Sequence, residues 1–171
     1  MTDFVSPLEL TMLGKVIVAA ILGGLVGIER AEAHTAAGLR TNMVVAISTC
    51  MFTVICLHLF QPGFEHNSAM LGHIISGVGF IGAGIVFHYG RKTAGLTTAA
   101  SVWLVAAIGM TVGVGLFILA IFSTALTICI LHYLEPLSVQ LQKHGHRIDV
   151  VAKRHAKEAA TPVRSLRDKR K

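Results

Sequence analysis

Few residues in this chain could do chemistry, and most of them stand at the edges of apolar runs. Glu29-Arg30 closes the first run, Arg40-Thr41-Asn42 opens the second, and Arg91 precedes a hydroxyl group formed by Thr97, Thr98 and Ser101. A carboxylate beside a guanidinium can hold an ion or anchor a helix end, and ionisable groups at a membrane boundary are functional candidates by default. Thr97, Thr98 or Ser101 would need a general base to act as nucleophiles, and none lies near them in sequence. No enzyme is expected, therefore, and no catalytic residue.

Other candidate motifs fail on context. Gly77-x-Gly79-x-x-Gly82 matches the dinucleotide fingerprint literally. That fingerprint requires a preceding strand and an acidic residue about 20 positions on. Here the glycines lie inside an apolar run, followed by Arg91 and Lys92. His144-Gly145-His146 is too thin for a metal site, and no cofactor is expected. Magnesium prefers carboxylate and carbonyl oxygens. Glu9 and Glu29 stand only at the two ends of the first run, and no aspartate falls in any run. Magnesium stays open as ligand or substrate, with no metal ligand assignable.

The elements that position these residues are long and apolar. Apolar residues make up 53% of the 171 and charged residues 14%, against about 25% charged in an ordinary soluble domain. Spanning a bilayer takes roughly 20 apolar residues. Five segments meet that need, at about 8–28, 41–60, 70–88, 97–112 and 116–134. Gln61-Pro62-Gly63 ends the second, and Gly113-Val114-Gly115 makes a tight turn between the fourth and fifth. Thr41 is the expected N-cap of the second span. The expected fold is therefore an all-α membrane bundle of five helices over residues 1–136, with a basic tail over 137–171.

Basic residues orient the bundle. The first and third loops carry Arg30, Arg40, Arg91 and Lys92, and ten of the fifteen Lys and Arg follow Pro136. With five spans all of these fall on one side, which the positive-inside rule makes cytoplasmic, leaving the N-terminus outside. The basic tail suits anionic lipid headgroups better than nucleic acid.

Small residues recur at helical spacing: Gly23 with Gly27, Gly109 with Gly113, Gly72 with Ser76, and Gly79 with Ala83. Together with Gly77, Gly82 and Gly84 they allow close approach of helices, within one chain or in a homo-oligomer. Hydroxyls such as Ser48, Thr49, Thr53, Thr124 and Thr127 are expected to bond to their own helix backbone or across to a neighbouring helix. Cys50, Cys56 and Cys129 read as buried free thiols.

Several blocks resemble the MgtC/SapB membrane family. They are Gly24-Leu25-Val26-Gly27-Ile28-Glu29-Arg30, Ala37-Gly38-Leu39-Arg40-Thr41-Asn42, the stretch from Ser76 to Gly84, and Gly95-Leu96-Thr97-Thr98 onward to Gly109. The resemblance covers roughly residues 8–136. It implies a bacterial inner-membrane protein linked to growth in low magnesium or acid stress and, in pathogens, to survival in host phagocytes. It also implies regulation through membrane partners such as the F-type ATP synthase. The alternative is an oligomeric path for Mg2+. Virulence-type members carry Asn, Cys and Arg where this chain has Thr97, Leu104 and Ala94. Larger members add an ACT-like cytoplasmic domain; here Arg147-Ile148-Asp149-Val150-Val151 would be only the stub of its first strand.

Overall fold

A computed structural model describes residues 6–59, 64–89 and 92–134. It holds five helices: α1 (Pro7–Glu32), α2 (Leu39–Leu59), α3 (Phe64–Ile85), α4 (Leu96–Val114) and α5 (Phe117–Leu134). A two-stranded hairpin of β1 (Phe87–Tyr89) and β2 (Lys92–Ala94) links α3 to α4, pairing Phe87 with Ala94 and Tyr89 with Lys92. The third span expected over 70–88 thus ends three residues early, its last residues being extended. The chain divides after Leu131. Nearly all of the second unit, including the 137–171 tail and the expected strand stub, lies outside the described residues, as do Gln61-Pro62-Gly63 and Arg91.

Among the described residues, α1, α2, α4 and α5 are long and apolar enough to cross a membrane. The apolar part of α3 is shorter, Leu71–Ile85, because its first residues Phe64-Glu65-His66-Asn67-Ser68 are largely polar. Large apolar side chains cover the outside as well as the core: Phe80 is 83% exposed and Ile118 87%. Such a surface suits acyl chains, and the protein is a membrane protein.

Helix ends follow local rules. Ser6 and Glu9 form a reciprocal capping box at the start of α1, which satisfies two of its orphan N–H groups. At its other end the Thr35 amide donates to Arg30 O and the His34 amide to Ala31 O, both at 3.1 Å, with His34 at φ 53°. This is a Schellman closure with a left-handed residue. Gly115, at φ 101°, closes α4 in the same way: its amide reaches Val112 O at 2.9 Å and that of Leu116 reaches Thr111 O at 3.0 Å.

Glycine decides how the core helices meet. A Cβ on Gly23 would sit 2.6 Å from Ala46 Cβ, and one on Gly27 2.7 Å from Leu39 Cα. Later positions on α1 thus meet earlier ones on α2, so the two helices run antiparallel. On the other side, a Cβ on Gly109 would collide with Thr49 Oγ1 and the Ala46 carbonyl, and one on Gly113 would stand 2.7 Å from Thr53 Cβ. Both series rise together, so α2 and α4 run parallel. The small pairs on α1 and α4 clasp the Asn42–Ala46–Thr49–Thr53 stripe of α2 from two sides, and Val26, Val102, Val105, Ile108 and Val112 fill the space between.

Because α2 and α4 are parallel, the chain must return along the bundle between them, and α3 makes that return. Its C-terminal end lies at the start of α4, where a side chain on Gly95 (φ 85°) would strike the Ile85 carbonyl. Gly82 faces Ala99 and, further along, Val78 and Ile75 line a cavity with Trp103, Ala107 and Met110. On α5, Ala120, Thr124, Thr127 and Leu131 are buried, a single face at helical spacing.

Hydroxyls inside the helices bond backward as expected. Thr49 donates to Val45 O at 2.9 Å, Thr53 to Thr49 O at 2.7 Å, Thr124 to Ala120 O at 2.8 Å and Thr127 to Ser123 O at 2.6 Å. Cys50 and Cys56 are buried and in no disulfide, whereas Cys129 is exposed.

Candidate functional site

The register of α1, α2 and α4 gathers the end of α1 and the starts of α2 and α4 at one end of the bundle. There Arg30 and Glu29, neighbours in sequence, form a two-pronged ion pair. Arg30 Nε donates to Glu29 Oε2 at 2.5 Å and Nη2 to Oε1 at 2.7 Å, with both side chains nearly buried. Bidentate geometry is what makes burial of two charges tolerable.

The connection from α1 to α2 is knitted around this pair. Thr35 Oγ1 donates to Arg30 O at 2.9 Å. Asn42 is fully buried, and its Nδ2 donates to Ala37 O at 2.8 Å and Gly38 O at 2.9 Å. Those two bonds hold the turn into α2, while Asn42 Oδ1 is buried without a hydrogen-bond partner. Thr41 is not the N-cap: α2 starts at Leu39, so Thr41 is already inside the helix and is exposed. Asn42, one residue on, orders this turn.

The other predicted residues separate. Arg40 and Thr97 are exposed, while Thr98 and Ser101 are buried at the start of α4. Ser101 Oγ donates to Thr98 O at 2.8 Å, so its proton goes to its own helix. Among the described residues, no group of three or more His, Cys, Asp or Glu is placed to hold a metal ion.

The glycines divide just as sharply. Gly23, Gly27, Gly109 and Gly113 all sit in the clasp. Among the described residues, Gly72, Gly77, Gly79 and Gly84 of α3 meet nothing within 4 Å of a built Cβ, and Gly82 meets only Ala99, at 3.8 Å. Ser76 and Ala83 are exposed on the same helix. The dinucleotide-like glycines at 77, 79 and 82 lie in the interior of α3 with no preceding strand.

Lys15 is the functional candidate that motif reading misses. Its ammonium, at the opposite end of the bundle, donates to the Gly113 carbonyl at 2.9 Å. It lines a cavity of about 460 Å³ with Thr11, Met12, Val54 and His58. The available signal was a lone charge between Glu9 and Glu29 in an apolar run.

The MgtC family profile matches residues 16–140, which takes in α1 from its third turn through α5. The chain belongs to the MgtC family. Protein MgtC of Brucella abortus (strain 2308) is 40% identical over 129 residues, 75% of this chain and 53% of that protein. YhiD of Escherichia coli K12, whose name makes it a candidate magnesium transporter, is 32% identical over 142 residues, 80% of this chain and 66% of that protein. Protein MgtC of Salmonella typhimurium is 36% identical over 115 residues, 67% of this chain and 48% of that protein. The chain thus spans about half to two thirds of the length of these relatives. No solved structure matches it. The MgtC profile covers the Glu29–Arg30 pair, Asn42 and all four clasp glycines, so the site described here lies within the family's shared region.

Proposed function

We propose that this MgtC-family protein is a non-enzymatic inner-membrane protein of magnesium homeostasis that acts by binding membrane partners, the F-type ATP synthase among them. In this reading it crosses the bilayer five times, with α3 as the third crossing and the Glu29–Arg30 end in the cytoplasm. The magnesium-transporter name of YhiD supports the magnesium reading. The observation that carries the partner reading is the open face of α3. Gly72, Gly79 and their neighbours give a small-residue surface that nothing among the described residues covers, while equivalent pairs on α1 and α4 are fully used. Small faces in a bilayer let another helix approach to backbone contact.

Capture of tagged protein from native membranes tests it. The wild type should retain a stoichiometric partner, and Gly79→Leu should lose it while melting like the wild type, because the α3 face is open within the chain. Retention by Gly79→Leu, or no partner for the wild type, would refute the reading. A second reading, a Mg2+ path formed by an oligomer, is favoured by the name of YhiD. Purified protein in liposomes should then move Mg2+, and flux no greater than in empty vesicles ends that reading.

A further inference from the structure

The cavity beside Lys15 stands at the end of the bundle away from the ion pair, and neither family membership nor the partner reading accounts for it. Lys15 is in the third turn of α1, about 12 Å along the axis from the helix start at 1.5 Å per residue. A cation at that depth of a spanning helix is unfavourable unless something polar answers it. One of its three N–H groups goes to Gly113 O at 2.9 Å, the carbonyl end of α4, where the helix dipole favours positive charge. Two donors remain. His58, the last described side chain of α2, stands across the cavity.

Among the described residues, none of the side chains lining this cavity is acidic. Its apolar wall continues as a second groove of about 370 Å³ between α1 and α2, which shares Met12 and Val54 and runs on past Val16, Met51 and Ile55. Glu9 stands at the mouth of that groove, but its carboxylate is taken by the Ser6 amide at 2.7 Å and the Ser6 hydroxyl at 3.1 Å. A cation with donors to spare thus stands at the head of an apolar channel on a membrane-facing surface.

We propose that this composite pocket is a specific site for one anionic phospholipid. The headgroup phosphate would sit on Lys15 with His58 beside it, and an acyl chain would lie in the α1–α2 groove. Charge complementarity selects the head, and the continuity of the two cavities selects an amphiphile over a soluble anion.

The full chain, exchanged into mixed micelles with equal phosphatidylglycerol and phosphatidylcholine, is read by native mass spectrometry. The wild type should keep one phosphatidylglycerol in preference to phosphatidylcholine. Lys15→Met should lower that retention about ten-fold, the worth of one charge-assisted hydrogen bond, and Lys15→Arg should restore most of it. Thr11→Phe adds bulk to the cavity from an exposed position, so it should lose the lipid and melt like the wild type. Equal retention of the two lipids, or undiminished retention by Thr11→Phe, overturns the proposal. So does protection against melting by glycerol phosphate equal to that by phosphatidylglycerol, which would mark a soluble-phosphate site. A lipid-free dimer that Thr11→Phe abolishes would instead assign the groove to a second copy of the chain, and would equally overturn it.

Discussion

Gly109 offers the sharpest test of the clasp around α2. A methyl group placed there falls inside the contact distance of Thr49 Oγ1 and the Ala46 carbonyl, and stands 3.0 Å from Ala46 Cα. Two of these three atoms are backbone and cannot move by changing rotamer. Thr49 could swing away only by giving up its bond to Val45 O at 2.9 Å, worth about 0.5–1.5 kcal/mol. Overpacking a tight site costs about 1–3 kcal/mol more, against which alanine regains up to about 1 kcal/mol of helix propensity. Gly109→Ala should therefore lose about 1–3 kcal/mol, and at roughly 2–4 °C per kcal/mol for a chain of this size the Tm falls by several degrees. Gly79→Ala is the control: nothing lies within 4 Å of its added methyl, so its Tm should stay level or rise. Both are read by thermal unfolding of purified protein in one detergent, followed by circular dichroism. If Gly109→Ala melts at or above the wild type, then α4 does not meet α2 through glycine and the parallel packing is wrong; if Gly79→Ala falls as far, the α3 face is not open.

Three further outcomes follow from the same geometry. Asn42→Ala removes the bonds to Ala37 O and Gly38 O and should cost about 1–3 kcal/mol; Asn42→Asp should cost more at neutral pH, since a carboxylate would face two carbonyls, and melting curves at falling pH should show partial recovery as protonation restores a donor. Gly115→Ala puts a side chain at φ 101° and should lose about 1–3 kcal/mol, with Gly115→Asn milder in the same melt because asparagine tolerates left-handed backbone better. Glu29→Gln takes the two-pronged acceptor from a guanidinium that is 4% exposed and should destabilise by about 1–3 kcal/mol, so its Tm must be matched before any change in Mg2+ flux is assigned to a path.

Helix positions were legible in the sequence because bilayer thickness imposes a length, and the basic loops and the Gly113–Gly115 turn punctuate the runs. The exceptions have local causes. α3 begins in polar residues, so its apolar part is shorter than a full span, and its expected last residues pair as a strand. The cap at α2 was misplaced because Thr41 has the side chain of a capping residue, while the bonds that order the turn come from Asn42 inside the helix. Glu29 and Arg30 were visible as candidates. Their pairing with each other was not, because adjacent residues on a helix do not ordinarily face each other; here both side chains bend to meet at the helix end.

The small-residue pairs show most clearly where sequence stops. Gly23 with Gly27, Gly109 with Gly113 and Gly79 with Ala83 have the same spacing and pair only small residues. In water, a buried face and a free face would differ in polarity, because one meets the core and the other the solvent. In a bilayer both meet hydrocarbon, so apolarity is uniform around the helix and the pattern states which faces can approach, not which do. Three-dimensional register breaks the tie: antiparallel α1–α2 packing consumes the α1 pair, parallel α2–α4 packing consumes the α4 pair, and that of α3 is left uncovered among the described residues. An unused small face costs the lone chain helix propensity without return, since interior glycine is about 1 kcal/mol worse than alanine. If, as proposed, its return comes from a membrane partner, Gly79→Leu should leave the melt unchanged and still abolish capture.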